Sequence, residues 1–347
     1  MIRFARAALL LLLFLGATYV RAQETDPERR QALIQVFQDA MQGGHWATAI
    51  AAGEQLQPIG VGNETLAYNL ACAYARSAQT APAITWLARA AESGFQATKL
   101  VAGDPDLATL REAASRNAAP GYVEAVARIF KNRAAGLREY QAMAANRPPL
   151  VFLPERYDST RAAPLIIALH GFGADAMDIA SAWREVASQA GAILAAPDAV
   201  RPTANGRGFQ WLYADEGEWR VLDTLDQMKA RYRIDPTRVI LTGFSQGGNL
   251  TLTTGLAYPD LFTGLIPMSG FYTPEEMPLD TRTVVRPRIY LMIGGNDRGT
   301  ATFEAARRDL ERAEYPVRLL TYPGVGHAFP PNAQEELTRA LDFVLAR

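Results

Sequence analysis

From about residue 148 onward, short apolar runs rich in β-branched residues alternate with stretches of helical spacing. The runs are "LVFLP", "PLIIALHG", "GAILAAPD", "RVILTGFS", "LIPMSG", "RIYLMIGGND" and "VRLLTYPG". They are too continuously apolar for half-exposed strands, so a sheet covered on both faces is expected. The helical stretches are predicted at 176–190, 217–232, 247–257, 302–313 and 333–346. The alternation predicts an α/β fold, a doubly wound and mostly parallel sheet with its functional loops at the carboxyl ends of the strands.

The preceding region, residues 27–145, has a different rhythm. Its apolar residues recur every three or four positions, which favours amphipathic helices. One helical pair is predicted around a break at Gly43–Gly44 and a second around a break near Gln79–Pro82. The pairs echo each other at about 34 residues, as Ile50 does Ile84, and that is the period of tetratricopeptide repeats. The region therefore resembles a tetratricopeptide (TPR) array, and "LAYNLACAYA" and its sequel resemble a degenerate last repeat.

The N-terminus has the pattern of an export signal. Arg3 and Arg6 precede an apolar run at 7–17, and "VRA" at 20–22 suits cleavage after Ala22. The run is short for a membrane span of about 20 residues. We therefore expect cleavage and export, to the periplasm or the medium, rather than a permanent anchor.

These patterns divide the chain into four parts. They are a signal peptide at 1–22, an all-α TPR-like helical domain at 23–118, a helical linker at 119–147 and a catalytic α/β domain at 148–347. The end of the linker is open to a second interpretation, as a first edge strand of the sheet.

Composition excludes some functions. With 35 basic against 36 acidic residues the formal net charge is −1, so no basic excess exists to neutralise phosphates and nucleic acid is not an expected partner. Cys72 is the only cysteine, so no intrachain disulfide can form. It lies among small apolar residues with no histidine near it in sequence, which favours a buried structural thiol over a catalytic one.

The pattern G-x-S-x-G is matched by Gly243, Ser245 and Gly247, between an apolar run and a helix-compatible stretch. In a nucleophile elbow the serine lies on a strained strand-to-helix turn, and the glycines let neighbouring segments pass without a Cβ clash. The helix that begins there directs its N–H groups towards the serine oxygen. Ser245 is therefore the predicted nucleophile. The alternative is an ordinary Gly-rich turn.

A serine hydroxyl needs a base, and the chain has three histidines. In this arrangement the chain order is serine, acid, histidine, so His327 in "YPGVGH" is the predicted base. His45 lies at a helix–helix turn and is interpreted as a packing or solvent residue. His170 ends the "LIIALH" run and is expected to shape the turn that follows.

The acid must lie between the serine and the histidine, at the carboxyl end of a strand. Asp297 in "IGGND" meets both conditions. It would hold the imidazole tautomer and stabilise the imidazolium. Asp260 and Asp280 are rivals, the first expected at the far end of the helix that follows the serine and the second in a polar connection.

The developing oxyanion needs at least two fixed N–H donors. The peptide N–H of Gln246, the residue after the serine, is one candidate. The second is expected from "HGFG" at 170–173, where the glycines allow close approach, and the N–H of Phe172 is the candidate. The alternative for this segment is a plain structural turn.

The segments "LIIALHGFG", "RVILTGFSQGG", "YPDLFTGLIPMSG", "IGGND" and "YPGVGH" resemble, in order and spacing, the α/β-hydrolase superfamily. "GFSQGG" is most similar to the phospholipase/carboxylesterase group, which includes the acyl-protein thioesterases; polyhydroxybutyrate depolymerase-like and feruloyl esterase-like enzymes are similar in pattern. The resemblance spans 148–347. It implies a serine-dependent acyl hydrolase without metal or organic cofactor, with Ser245, Asp297 and His327 as its triad and Phe172 and Gln246 as oxyanion donors.

The long connection at 198–219 contains Phe209, Trp211, Tyr213 and Trp219. Long loops in compact domains are often functional. Trp211 or Tyr213 is hypothesised to form the wall of an acyl or aromatic pocket; the alternative is that the aromatic residues only pack the loop onto the sheet. "GFYTPEEMP" at 270–278 is a second candidate rim.

The predicted function is hydrolysis of carboxylic esters through an acyl-enzyme, with a small-molecule ester as substrate. Thioester or peptide cleavage by the same triad is an alternative. A different alternative is a non-catalytic interaction protein whose helical repeat binds a protein partner. The intact set of Ser245, Asp297 and His327 argues for an active enzyme.

Overall fold

The computed structural model describes residues 27–59, 63–274, 277, 279 and 285–346. The predicted signal peptide at 1–22 lies outside these residues. The chain divides into two compact units, with the boundary between Arg138 and Glu139. No helix among the described residues is both long and apolar enough to cross a membrane.

The N-terminal unit is built from helices. They are α1 (Pro27–Gln42), α2 (Trp46–Leu56), α3 (Asn63–Arg76), α4 (Thr80–Glu92), α5 (Thr98–Gly103), α6 (Ala108–Ser115) and α7 (Pro120–Ala145), whose last residues, from Glu139, belong to the second unit. Short 3₁₀ turns lie at Gln57–Ile59 and Pro105–Leu107. Alanines and larger aliphatic and aromatic side chains fill its core, in which the rings of Tyr68 and Phe95 stack with centroids 4.4 Å apart.

The predicted helix breaks are present. The chain turns between α1 and α2 at Gly43–Gly44, where Gly44 adopts a left-handed φ of 69° that favours glycine. The second break falls at 77–79, slightly earlier than expected. Pro82 lies inside the first turn of α4, where its missing N–H leaves no helical hydrogen bond unmade. The tetratricopeptide character of these pairs stays a prediction.

The second unit contains a seven-stranded sheet in the order β1-β3-β2-β6-β7-β8-β9. β1 is antiparallel to β3, and the other pairs are parallel. Its strands are β1 (Leu150–Phe152), β2 (Ala163–Leu169), β3 (Ile193–Ala196), β6 (Ile234–Phe244), β7 (Gly264–Met268), β8 (Arg288–Gly294) and β9 (Val317–Tyr322). Each predicted apolar run overlaps one of these strands, and the predicted fold class is confirmed.

Five helices cover the sheet. They are α8 (Ala176–Gln189), α9 (Ala214–Arg231), α10 (Gln246–Ala257), α11 (Thr300–Arg312) and α12 (Ala333–Leu345). Alternate residues of β2 enter opposite cores: Leu165 and Ile167 join the core that includes residues of α9, α10 and α11, and Ile166 joins the core that includes residues of α8 and α12. Both faces of the sheet are therefore buried, which explains the continuous apolar runs.

Two features differ from the sequence-based expectations. The end of the linker forms no edge strand, because α7 continues to Ala145 and the first strand begins only after Pro148 and Pro149. Those prolines disfavour helix in the residue before them and so end it. The long connection also contains a small antiparallel ribbon that was not predicted, formed by β4 (Arg201–Pro202) and β5 (Phe209–Gln210).

Candidate active site

Ser245 occupies the sharp turn between β6 and α10. Its φ of 57° and ψ of −117° are sparsely populated by residues with a side chain, and such strain recurs at functional turns. The turn is tight: a Cβ on Gly243 would lie 2.3 Å from the carbonyl oxygen of Gly247, and a Cβ on Gly247 would lie 2.3 Å from that of Leu169. Glycine is therefore required on both sides of the serine for steric reasons.

His327 lies on the loop that follows β9. Its Nε2 is 2.9 Å from the Ser245 Oγ, within hydrogen-bond distance. The imidazole packs against Phe244 with ring centroids 5.1 Å apart, and Phe244 in turn stacks on Phe329 at 4.8 Å. The structure thus brings together a serine and a histidine that are 82 residues apart in sequence.

Asp297 lies between β8 and α11 and completes the group. Its Oδ2 is 2.8 Å from the His327 Nδ1, and its Oδ1 accepts a hydrogen bond of 3.0 Å from the Gly299 N–H. The Asp297 side chain is 1% exposed, whereas that of His327 is 46% exposed. The carboxylate is therefore enclosed by the protein, while the imidazole remains accessible.

The charge state of Asp297 fixes the histidine tautomer. Burial by itself would raise the pKa of Asp297, but hydrogen bonds from the Gly299 N–H, the His327 ring and the Ser269 hydroxyl hold that pKa below its ordinary value. The ionised carboxylate only accepts hydrogen bonds, so His327 Nδ1 carries the proton. In the neutral imidazole, Nε2 is then free to accept the proton of Ser245.

Each predicted oxyanion donor is adjacent in sequence to Ser245 or to a residue near it: Gln246 follows Ser245, and Phe172 follows Gly171, where an added Cβ would lie 3.3 Å from the Ser245 Cβ. Gln246 is the first residue of α10, and Phe172 lies in the turn after β2. Within the described part of the chain, neither peptide N–H has a hydrogen-bond acceptor. The Phe172 side chain is largely exposed. Both N–H groups can therefore bond to an acceptor that the described residues do not supply.

His170, the residue at the end of β2, is buried and bonded on both ring nitrogens. Its Nε2 accepts a 3.0 Å hydrogen bond from the Ala199 N–H, so Nδ1 carries the proton and donates to the Gly171 carbonyl at 2.7 Å. Burial lowers the pKa of His170, partly opposed by the Gly171 carbonyl and nearby aspartates. The neutral ring ties the turn to the neighbouring loop.

The two predicted pocket residues lie in different environments. Trp211 is buried in the core, and its side chain contacts the His170 segment rather than solvent. Tyr213 is half-buried immediately before α9, with the Arg201 guanidinium 5.8 Å from its ring centroid. The arrangement of Trp211 favours the interpretation that it packs the loop onto the sheet.

The remaining sequence candidates lie elsewhere. Asp260 is exposed just beyond the end of α10 that is opposite Ser245. Asp280 lies outside the described residues. His45 is exposed in the turn between α1 and α2 of the helical unit. The structure thus brings Asp297, and not Asp260, to the histidine.

Among the described residues of the helical unit, Cys72, Asp104 and Asp106 could hold a metal, with ligand atoms within 4.8 Å of one another. Internal contacts already use them: the Tyr68 hydroxyl donates to Asp104 at 2.7 Å, and the Cys72 Sγ lies 3.6 Å from the same carboxylate. Burial raises the pKa of the Cys72 thiol, which disfavours the thiolate that a metal requires. The buried thiol agrees with the structural role expected for it.

Comparison with known proteins identifies the family of this chain. Residues 141–316, about half of the chain, match the protein family described as "Putative esterase". The chain belongs to this esterase family. In this chain, Ser245 and Asp297 lie inside the matched range, and His327 lies beyond it. The crystal structure of esterase PE8 has the same α/β-hydrolase fold, with 24% identity, a TM-score of 0.50, and coverage of 57% of this chain and 99% of that one.

Several curated proteins are similar to parts of this esterase-family chain. It is 34% identical over 113 residues to "Probable carboxylesterase SOBER1-like" of Arabidopsis thaliana, covering 30% of this chain and 40% of that protein. It is 32% identical over 115 residues to poly(3-hydroxyalkanoate) depolymerase C of Paucimonas lemoignei, covering 31% and 28%. It is 28% identical over 113 residues to acyl-protein thioesterase 1 of Gibberella zeae, covering 30% and 47%. The chain spans less than half the length of these relatives.

Two residues of the site make side-chain hydrogen bonds that the sequence analysis did not predict. Ser269 follows β7 with a left-handed φ of 48° and hydrogen-bonds Asp297. Gln246 was predicted only for its N–H, yet its side chain accepts a hydrogen bond from the Trp211 N–H at 3.1 Å. The position of Ser269 after an apolar run, in "MSG", was the only local signal available for either contact.

Proposed function

We propose that this esterase-family chain hydrolyses carboxylic esters through an acyl-enzyme on Ser245. The proposal depends on one observation: the Ser245 Oγ, the His327 imidazole and the Asp297 carboxylate form a continuous hydrogen-bonded chain, with distances of 2.9 Å and 2.8 Å. That geometry joins a nucleophile, a base and a group that orients the base.

In the first half-reaction, the Ser245 Oγ attacks the acyl carbon while its proton passes to His327 Nε2. The carbonyl oxygen becomes an oxyanion, which accepts hydrogen bonds from the N–H groups of Gln246 and Phe172 in this proposal. Asp297 stabilises the imidazolium without taking its proton. Collapse breaks the bond to the alcohol oxygen, which receives the proton from His327 and leaves as the alcohol.

In the second half-reaction, water replaces the alcohol. His327 Nε2 takes a proton from the water as its oxygen attacks the acyl-enzyme, and the same N–H groups receive the second oxyanion. The bond between the acyl carbon and Ser245 Oγ then breaks, and the proton returns from His327 to Ser245. The products are a carboxylic acid and the restored enzyme.

The test is hydrolysis of p-nitrophenyl esters from acetate to palmitate by the purified protein and its Ser245→Ala variant. Ser181→Ala is the matched control, because Ser181 is an exposed serine of α8 whose hydroxyl only contacts the Met177 carbonyl of its own helix. We expect turnover in the native protein and the control, and its loss in Ser245→Ala.

Two additional measurements make the test decisive. A fluorophosphonate should label the native protein and Ser181→Ala but not Ser245→Ala. A thioester series run in parallel separates ester from thioester preference. Absence of both turnover and labelling in the native protein would refute the proposal and direct attention to a binding role for the helical unit.

A further inference from the structure

Trp211 makes two hydrogen bonds to the segments that contain the two predicted oxyanion donors. Its indole Nε1–H donates to the His170 carbonyl at 2.8 Å, and its peptide N–H donates to the Gln246 Oε1 at 3.1 Å. The indole also lies against the His170 ring, with centroids 5.1 Å apart. At 9% exposed, the side chain contributes to the hydrophobic core.

The first contact acts on the turn that carries the Phe172 N–H. The His170 carbonyl that accepts from Trp211 begins this turn. The next carbonyl, that of Gly171, accepts from the protonated His170 Nδ1 at 2.7 Å. In a trans peptide the C=O and the following N–H point in opposite directions. Because the Gly171 carbonyl is directed to the buried His170 ring, the Phe172 N–H is directed away from it.

The ribbon that leads to Trp211 is joined to the same turn. The Gly173 N–H donates to the Phe209 carbonyl at 2.9 Å, and the Phe209 N–H donates to the Ala174 carbonyl at 3.0 Å. The segment 209–211 therefore bonds to the turn after β2 by main-chain groups and to α10 through Gln246. Trp211 is the residue where the two connections meet.

We propose that Trp211 is a positioning residue that fixes the Phe172 and Gln246 N–H groups relative to each other. This inference rests on the proposed function, because the two N–H groups matter as a pair only if an oxyanion forms beside Ser245. It differs from the pocket-wall hypothesis, in which the indole would contact the acyl group itself. Preorganised donors stabilise the transition state because they need no reorientation during the reaction.

Trp211→Phe tests the proposal, since it keeps a large ring and removes the indole N–H. Trp183→Phe is the matched control: Trp183 is fully buried in the same unit, but its Nε1 has no hydrogen-bond partner among the described residues. For Trp211→Phe we expect kcat on p-nitrophenyl esters to fall about 10- to 100-fold, because small misplacements of catalytic groups have effects of that order. KM should change by less than about twofold at every chain length, because ground-state binding is retained.

A boronic acid that forms a tetrahedral adduct with Ser245 gives a second readout. Its affinity should fall with kcat in Trp211→Phe and stay unchanged in Trp183→Phe. Hydrogen exchange of peptides covering 170–174, measured in a Ser245→Ala background, should be faster in Trp211→Phe than in the control. This last measurement requires no turnover.

Three results would overturn the inference. Equal kinetics of Trp211→Phe and Trp183→Phe would show that the indole N–H has no role in the reaction. A KM that rises with chain length at constant kcat would make Trp211 a pocket wall instead. If the native protein shows no Ser245-dependent turnover, the proposed function fails and the inference loses its reaction. This outcome can be distinguished from a failure of the inference alone, because the difference in hydrogen exchange would persist.

Discussion

Two loops at the carboxyl edge of the sheet each contain a histidine, and the two rings have opposite surroundings. His170 follows β2 and is 1% exposed, and its two ring nitrogens bond to main-chain groups of Ala199 and Gly171. His327 follows β9 and has a side chain that is 46% exposed, and its two ring nitrogens bond to the side chains of Asp297 and Ser245. Their strands end at the same edge of one sheet, so position alone does not separate the two.

The difference separates a histidine that belongs to the scaffold from the one proposed as the base. His170 cannot transfer its proton usefully, because both of its nitrogens are occupied by the backbone and burial keeps the ring neutral. His327 can accept a proton from Ser245, since an ionised carboxylate behind it stabilises the resulting imidazolium. Main-chain partners make a histidine part of the scaffold, and side-chain partners make it part of the proposed reaction.

The largest expected effect tests the reactive side of this comparison. His327→Ala should lower kcat on p-nitrophenyl acetate roughly 10⁶-fold, because the serine loses its base. The thermal midpoint should change little, since the ring is half-exposed. Steady-state kinetics and thermal unfolding monitored by circular dichroism measure both. A variant that keeps most of the native rate would show that His327 is not the base.

A smaller loss is expected at the residue that orients His327. Asp297→Asn keeps the size of the side chain but can favour the wrong imidazole tautomer, so kcat should fall about 10⁴-fold. Asp260→Asn is the control, because Asp260 is exposed beyond the far end of α10, and it should retain the native rate. Similar kinetics in the two variants would contradict the assignment of the acid.

The scaffold side of the comparison predicts a loss of stability. His170→Leu keeps a similar side-chain volume but removes the ring nitrogens. The Ala199 N–H and the Gly171 carbonyl then lose that hydrogen-bond partner. Unfolding free energy should fall by about 1–3 kcal/mol, the cost of an unsatisfied buried polar group. Urea denaturation followed by tryptophan fluorescence measures it. His45→Leu, at an exposed position of the helical unit, should change it by less than about 0.5 kcal/mol; equal losses would contradict the scaffold role.

The smallest effect is a pH dependence of stability. Burial lowers the pKa of His170 in the folded protein below its ordinary value of 6.5. The unfolded chain therefore binds more protons below that pH, and folding stability from this residue is lost as the pH falls from about 6.5 towards the lower folded pKa. Thermal midpoints between pH 7 and pH 5 should fall less in His170→Leu than in the native protein. Parallel slopes would show that another group causes the loss.

The sequence by itself determined the order of helices and strands and the candidate reactive residues. A sheet buried on both faces requires continuous apolar runs, and amphipathic helices require apolar residues every three or four positions. Both patterns depend on residues close together in sequence, so the sequence alone reveals them. Gly243 and Gly247 mark the turn around Ser245 because the chain must approach itself there. Chain order then selected Asp297 and His327, and the structure places these two side chains together with Ser245.

Only the tertiary structure decided which groups surround these residues. The contacts of Trp211 join residues 35 and 41 positions away in sequence, and no periodic pattern encodes such pairs. The ribbon of β4 and β5 and the contact of Ser269 with Asp297 were likewise not predicted. Local patterns reflect which face of an element is buried, whereas a hydrogen-bond partner depends on where separate loops meet once the sheet has formed.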